Sequence, residues 1–132
     1  MDEPLNLEKL VIQMYEAFSK RDYETLNEVC AKDIVWKQNP GFPGGGTHYG
    51  VKDIVKNVYE SNNSRWKYFN FERLKISTTK DSVIVEGNYI VESYGTKRRI
   101  KVETAHIFLV HNQKIISFQQ YTDTFTLWEQ LK

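Results

Sequence analysis

Residues 104–124 read TAHIFLV, HNQK and IISFQQYTDT, and they carry the clearest structural signal in the chain. Two runs rich in β-branched and aromatic residues flank a short polar turn, a pattern typical of an antiparallel β-hairpin. We expect the helices and strands upstream to fold back over one face of this hairpin. The hairpin is therefore the element from which we predict the rest of the fold.

Upstream of the hairpin, the spacing of apolar residues is helical at first and strand-like later. A first helix is predicted from Leu7 and is closed by Lys20 and Arg21, a second follows Asp22, and a third runs from Val51 to Tyr59, with Asn6 and Asp22 as N-caps. A short strand, 34–38, and a glycine-rich loop, 39–50, lie between the second and third helices. Four long strands follow at 66–78, 82–94, 99–110 and 115–124, with a short helix around Trp128. This order predicts one α+β domain over residues 1–132.

Composition excludes several classes of function. The 132 residues contain 18 basic and 17 acidic side chains, so the net basic face that nucleic acids and membrane surfaces attract is not expected. No apolar run reaches the roughly 20 residues that span a bilayer. Acidic residues precede any apolar run at the N-terminus, so we expect no signal peptide and a cytoplasmic location. One cysteine and three dispersed histidines predict no metal site, and we expect no cofactor.

The order and spacing of these elements resemble the nuclear-transport-factor-2-like fold, in its SnoaL-like and ketosteroid-isomerase-like branch. The matching segments are VIQMYEAFSKRDYETLNEVCAKDIVW, GGGTHYGVKDIV and HIFLVHNQKIISFQQYTDT. The resemblance implies a cone of three N-terminal helices packed on a strongly curved antiparallel β-sheet around a central pocket, with a homodimer through the convex face. The family hosts isomerases, polyketide cyclases, epoxide hydrolases, dehydratases and non-catalytic modules, so the resemblance does not select a reaction.

The resemblance also assigns roles to individual residues. Tyr15 falls where the isomerases keep a tyrosine that stabilises an oxyanion. Gln38 and Ala105 fall where they keep two acids, and neither side chain can replace an acid in proton transfer. Steroid isomerisation is therefore not expected. The cyclases keep an aspartate on the last strand, where this chain has Gln120, with Asp123 three residues further on.

The faces of the strands follow from the same resemblance. It turns Ala105, Ile107 and Leu109 towards the pocket, together with Phe118, Gln120 and Thr122, and it places His106, Phe108 and Val110 on the convex face. It also turns Glu86, Glu92 and Glu103 inwards, where burial raises the pKa of a carboxyl group. The convex face then carries the apolar patch that predicts the homodimer, namely Val83, Val85, Tyr89, Val91 and Phe108.

These positions define the candidate site. Tyr15 is the expected oxyanion donor, and Asp123 or Glu103 is the expected proton carrier, although Asp123 could instead cap the terminal helix. The expected ligand-binding residues are Phe18, Trp36, Gln38, His48, Ile107, Phe118 and Gln120. This lining suits a small hydrophobic carbonyl or polyketide-like molecule. Two functions stay open: cofactor-independent acid–base chemistry (isomerisation, cyclisation or hydrolysis), and a non-catalytic binding or dimerisation module.

Overall fold

A computed structural model of the chain describes residues 6–132. The expectation that the chain has no signal peptide is based on N-terminal residues that lie mostly outside this range. The helices are α1 (Leu7–Lys20), α2 (Tyr23–Val29), α3 (Val51–Ile54), α4 (Ser61–Arg65) and α5 (Thr124–Gln130), and a π-helical segment, Val55–Glu60, joins α3 to α4. The strands are β1 (Cys30–Lys37), β2 (Thr47–Tyr49), β3 (Tyr68–Thr78), β4 (Ser82–Glu92), β5 (Arg99–His111) and β6 (Lys114–Thr122). The predicted α+β fold, with helices packed on a curved sheet, is confirmed.

The helix starts follow the local signals in the sequence. The Asn6 side chain accepts a hydrogen bond from the backbone N–H of Lys9 at 3.0 Å, and Asp22 accepts one from Thr25 at 3.1 Å. Each cap satisfies a backbone donor that the first turn leaves free. Helix α1 buries one apolar stripe against the sheet: Leu10, Val11, Met14, Ala17 and Phe18. Within residues 6–132, no helix is both long enough and apolar enough to cross a membrane.

The sheet has the strand order β2-β1-β6-β5-β4-β3. Strands β3 to β6 form the expected antiparallel meander. Strand β1 adds to this meander beside β6 in a parallel direction, and β2 pairs with β1 antiparallel. The parallel pairing sets Trp36 opposite Phe118, which in turn lies opposite Phe108 on β5. An aromatic row therefore crosses three strands on the inner face.

The edge strand β3 contains a β-bulge. The pairing with β4 shifts between Arg73 and Lys75, which leaves Leu74 as the extra residue, 64% exposed. The bulge changes the alternation, so Phe71 before it and Ile76 after it both pack on the core. Gly87 lies opposite Arg73, and a Cβ atom on it would overlap the backbone carbonyl oxygen of Glu72. The two strands approach this closely because position 87 lacks a side chain.

The faces of β5 are the reverse of those expected, whereas Phe118 and Gln120 on β6 face inwards as predicted. His106 pairs directly with Gln120, and Phe108 pairs directly with Phe118. Directly opposite residues of an antiparallel pair share a face, and all four side chains are buried inside. Ala105, Leu109 and the predicted pocket residue Ile107 therefore lie on the outer face, and that part of the prediction is wrong. The two alternating sets are both apolar only from Ala105 onwards. Earlier in β5, Arg99, Lys101 and Glu103 belong to the outer set and Ile100 and Val102 to the inner one, so alternation over the whole strand favours the observed faces.

Strand β4 is reversed in the same way. Its valines and Tyr89 are buried on the inner face, and Phe108 lies beside them, so the predicted convex apolar patch is instead core. Glu86 and Glu103 are exposed on the outer face. Glu92 is half-buried and forms ion pairs of 3.3 Å with both Lys67 and Arg99. The three expected inward carboxylates are therefore absent from the interior.

The glycine-rich loop forms a packed wall. Phe42 is buried in a second apolar cluster, together with Trp66, Tyr89 and Leu127. Two side chains from elsewhere donate to backbone carbonyls of the loop: Arg65 to Pro43 at 2.9 Å, and Trp128 to Gly41 at 2.6 Å. These contacts join the loop to α4 and α5.

Candidate functional site

A cavity of about 610 Å³ lies between the inner face of the sheet, helix α1 and the helical stretch that ends in α4. This volume is typical of small-molecule sites. Its lining combines aromatic rings with a few polar groups: Tyr15, Glu16, Ser19, Trp36, Gln38, Val58, Tyr59, Asn62, Asn63, Phe69, Asn70, Phe71, Arg73, Tyr89, His106 and Phe118.

Aromatic rings form most of the apolar wall. Trp36 stacks on Phe118 with ring centroids 3.7 Å apart and an interplanar angle of 12°. Phe71 stacks on the imidazole of His106 at 4.1 Å. Flat, rigid surfaces of this kind gain most from a flat ligand, which can stack on them or meet their edges.

Four side chains form a hydrogen-bonded chain, three of them in the cavity lining and the fourth, Gln120, directly behind it. The Tyr15 hydroxyl lies 2.7 Å from Nδ1 of His106, and the Tyr89 hydroxyl lies 2.8 Å from Nε2 of the same ring. The Gln120 amide donates from Nε2 to the Tyr89 hydroxyl at 2.6 Å, and its Oε1 accepts from the backbone N–H of Asn39 at 3.0 Å. Three strands and helix α1 therefore meet in one polar network that ends at the cavity.

Burial keeps this network neutral. It lowers the pKa of His106 from 6.5 to about 3, because a charged imidazolium loses its hydration there. The same loss of hydration raises the pKa of Tyr15 well above its ordinary value, with smaller contributions from Tyr59 and Tyr89 and an opposing one from Arg73. At neutral pH the cavity wall therefore presents hydrogen bonds rather than ionised acid–base groups.

Two buried polar atoms of the lining residues have no hydrogen-bond partner among residues 6–132. They are the indole Nε1 of Trp36 and the amide Oε1 of Gln38, and these residues are only 2% and 6% exposed. Trp36 is near the end of β1 and Gln38 follows directly after the strand, and both side chains line the cavity. An unpaired buried polar group costs roughly 1–3 kcal/mol. A ligand with an acceptor for the indole and a donor for the amide removes that cost.

The mouth of the cavity is polar. Arg73, just before the β3 bulge, places its guanidinium carbon 5.2 Å from the centre of the Tyr15 ring. Glu16, exposed on α1, is the one carboxylate among the described lining residues. The described interior of the cavity thus contains no carboxylate.

The SnoaL-like domain family matches this chain over residues 11–118. The chain belongs to the SnoaL-like family. A similar solved structure is an NTF2-like protein from Burkholderia thailandensis, with 27% identity, a TM-score of 0.84, and coverage of 94% of this chain and 95% of that one. A search of curated proteins finds no match.

Two more distant structures share the fold of this SnoaL-like chain. TerC, crystallised with polyporic acid, has 20% identity, a TM-score of 0.80, and coverage of 93% of this chain and 95% of its own. IdmH from Streptomyces antibioticus, for which a polyketide cyclase activity has been suggested, has 19% identity, a TM-score of 0.72, and coverage of 94% and 96%.

Four of the predicted site residues of the SnoaL-like domain line the cavity together: Tyr15, Trp36, Gln38 and Phe118. Gln120 is fully buried one layer behind them, bonded to Tyr89. Phe18 also lies behind the lining, where it stacks on Tyr59 at 4.6 Å. These residues converge because α1, β1 and β6 all contribute to the inner face.

The other predicted residues lie elsewhere. Asp123 is exposed and caps α5, where it accepts hydrogen bonds from Thr126 at 3.0 and 2.6 Å that lower its pKa. His48 is on the edge strand β2, outside the lining, with Nδ1 3.5 Å from Asp53. Glu103 and Ile107 are on the outer face. The SnoaL-like chain therefore brings neither predicted proton carrier to the cavity.

The prediction missed His106, Tyr89 and Arg73. The sequence of β4 could have identified His106 and Tyr89. One alternating set of this strand contains three valines and Tyr89, whereas the other contains Glu86 and Asn88. Burying the valines turns Tyr89 inwards, and the pairing of Val85 with His106 then turns the histidine inwards as well.

No group of three His, Cys, Asp or Glu side chains in residues 6–132 is arranged to hold a metal ion.

Proposed function

We propose that this SnoaL-like protein binds a small, flat, largely hydrophobic molecule through a carbonyl group, with the carbonyl oxygen held by the Tyr15 hydroxyl. One observation carries the proposal: Tyr15 is bonded to neutral His106 at the wall of an aromatic cavity in which two further buried polar atoms, on Trp36 and Gln38, lack partners among residues 6–132. The polyporic acid with which TerC was co-crystallised and the polyketide cyclase activity suggested for IdmH support a small-molecule ligand.

The same geometry favours cofactor-independent isomerisation or cyclisation. When a carbon next to a carbonyl loses a proton, or when the carbonyl carbon is attacked, negative charge develops on the oxygen. A hydrogen bond from Tyr15 in a low-dielectric cavity stabilises that charge. Since the described interior lacks a carboxylate, the site suits a carbon acid activated between two carbonyls, as in a polyketide chain, whose proton can leave to water. Hydrolysis is less suited, because His106, with its low pKa and both nitrogens bonded, cannot activate water.

The binding step can be tested with two probes that share a flat bicyclic ring, acetylnaphthalene and ethylnaphthalene, of which only the first has a carbonyl oxygen. Fluorescence titration should show that Tyr15→Phe weakens acetylnaphthalene binding about tenfold, equivalent to one hydrogen bond of about 1.4 kcal/mol, and leaves ethylnaphthalene unchanged. Tyr23→Phe, at a tyrosine outside the lining that is 41% exposed, is the matched control. Equal weakening of both probes, or of neither, contradicts the role of Tyr15.

The second candidate function is ligand binding without catalysis, and the absence of a carboxylate from the described interior favours it. Benzoylacetone, which has an activated carbon between two carbonyls, separates the two functions. Catalysis predicts that the protein accelerates deuterium exchange at this carbon and that Tyr15→Phe abolishes most of the acceleration. Binding of benzoylacetone with no acceleration over buffer would instead establish the binding module.

We also propose a homodimer. The apolar residues that it would bury are those on the observed outer face of the sheet, not the ones predicted from the sequence. Leu74, Leu109, Ile116 and Tyr121 are between 36% and 64% exposed there, and a second copy of the chain would cover them. Sedimentation velocity should give a dimer at micromolar concentration and a monomer for Leu109→Lys. A wild-type monomer refutes the proposal.

A further inference from the structure

We infer that Gln120, oriented by the backbone N–H of Asn39, sets the direction of the hydrogen-bonded chain so that the Tyr15 hydroxyl points its proton into the cavity. Gln120 is then a positioning residue that acts through Tyr89 and His106. The preference for a ligand that accepts a hydrogen bond from Tyr15 rests on the proposed function. The direction itself is a property of the ligand-free protein, and it follows from three steps.

The first step fixes the Gln120 amide. A backbone N–H can only donate, so the atom that faces Asn39 at 3.0 Å must be the amide oxygen. The NH₂ group therefore faces the Tyr89 hydroxyl at 2.6 Å. Asn39 is itself held in place, because its side chain accepts a hydrogen bond from the backbone N–H of Thr122 at 3.0 Å. Both contacts join the first residue of the glycine-rich loop to β6.

The second step fixes the Tyr89 proton. The Tyr89 oxygen accepts from Gln120, so its own O–H needs an acceptor, and Tyr89 is only 4% exposed. In residues 6–132, its one other hydrogen-bond partner is Nε2 of His106, at 2.8 Å. The Tyr89 hydroxyl therefore donates to Nε2, which must carry a lone pair.

The third step fixes the histidine tautomer. A neutral imidazole with a bare Nε2 carries its proton on Nδ1, which lies 2.7 Å from the Tyr15 oxygen. The ring therefore donates to Tyr15. Within the described chain Tyr15 has no further hydrogen-bond partner, and it lines the cavity, so its own proton is free to reach a ligand atom there. The site selects a ligand acceptor such as a carbonyl oxygen at Tyr15, and it disfavours a ligand group that can only donate.

Isotope-labelled histidine in the ligand-free protein reports the tautomer directly, because protonated and bare ring nitrogens have well-separated chemical shifts in nuclear magnetic resonance. We expect His106 to carry its proton on Nδ1, with His106→Gln identifying its signals. A His106 proton on Nε2 in the wild-type protein overturns the inference, and this measurement requires no folded variant at Gln120.

Gln120→Glu tests the origin of the direction. When ionised, the introduced carboxylate accepts from both Asn39 and Tyr89, so the Tyr89 oxygen must accept from Nε2–H and the whole chain reverses. When protonated, the same group donates to Tyr89 as the amide does. We expect the His106 tautomer to change from Nδ1–H to Nε2–H as the pH rises from about 5 to 9, the range in which buried glutamates titrate. A tautomer that stays on Nδ1 throughout removes Gln120 from its proposed role.

Gln119→Glu is the matched control. It makes the same change one residue away, at a side chain on the outer face, and it should keep the wild-type tautomer at every pH. On the alkaline side, Gln120→Glu should bind acetylnaphthalene about tenfold more weakly than the control does, since Tyr15 no longer donates. If His106 carries its proton on Nδ1 but the protein binds neither naphthalene probe, only the proposed function is refuted. If the protein binds the carbonyl probe selectively but His106 carries its proton on Nε2, only this inference is refuted.

Discussion

Mild acid should destabilise this protein through His106 well before its carboxylates are protonated. The imidazole has a pKa of about 3 in the folded chain, against 6.5 for an ordinary histidine. Above about pH 6.5, neither the folded nor the unfolded state binds a proton there. As the pH falls below that value, the imidazole binds a proton in the unfolded chain but not in the folded chain, so the free energy of unfolding decreases.

The linkage relation gives the size of the effect. Between about pH 7 and pH 5, the unfolded imidazole goes from mostly neutral to almost fully protonated, while the folded one stays neutral. The resulting loss of stability is about 2 kcal/mol, and it would reach about 4 kcal/mol near pH 3. Stopping at about pH 5 isolates the histidine, since Asp22, Asp53 and Asp123 have lowered pKa values and weaken the fold only in stronger acid.

Urea unfolding at the two pH values is the assay. The wild type should lose about 2 kcal/mol between them, and His106→Gln should lose correspondingly less, because it has no buried imidazole to protonate. His111→Gln, at an exposed histidine at the end of β5, is the control and should retain the wild-type loss. If the wild type and His106→Gln change equally, then burial does not hold His106 neutral in the polar network.

Three further variants test separate parts of the structure. Gly87→Ala should lower the free energy of unfolding by about 2 kcal/mol or more in urea, since its Cβ overlaps the Glu72 carbonyl oxygen; an unchanged midpoint refutes the close approach at the bulge. Asp123→Ala should cost about 1 kcal/mol through the lost helix cap while leaving acetylnaphthalene binding unaltered, and a loss of binding would restore Asp123 to the site. Arg73→Gln should weaken the anionic probe naphthoate about threefold without affecting acetylnaphthalene, as expected for an exposed charge; equal effects on both probes would mean that Arg73 acts by packing.

Local features of this chain could be predicted from its sequence. The caps at Asn6 and Asp22 and the apolar stripe of α1 depend on residues three or four apart, so a short window contains all the information they need. The long strands could be located for the same reason, and the order of elements was enough to predict the fold.

The site depends on register, which no short window contains. Alternation in β4 and β5 indicates that His106 rather than Ala105 faces inwards, but the partners of His106 depend on how β5 pairs with its neighbours, and a shift of one residue exchanges the two faces. The bulge at Leu74 changes the alternation of β3, and the parallel pairing of β1 with β6 brings Trp36 onto Phe118. Contacts of this kind depend on positions far apart in the chain.

The proposed function depends on a hydrogen bond that Tyr15 donates to a carbonyl oxygen in the cavity. Infrared difference spectroscopy of acetylnaphthalene with an isotope-labelled carbonyl, bound to the wild type and to Tyr15→Phe, tests it most directly, because a donated hydrogen bond weakens the C=O bond. We predict a lower carbonyl stretching frequency in the wild type than in the variant. The same frequency in both proteins would contradict the claim.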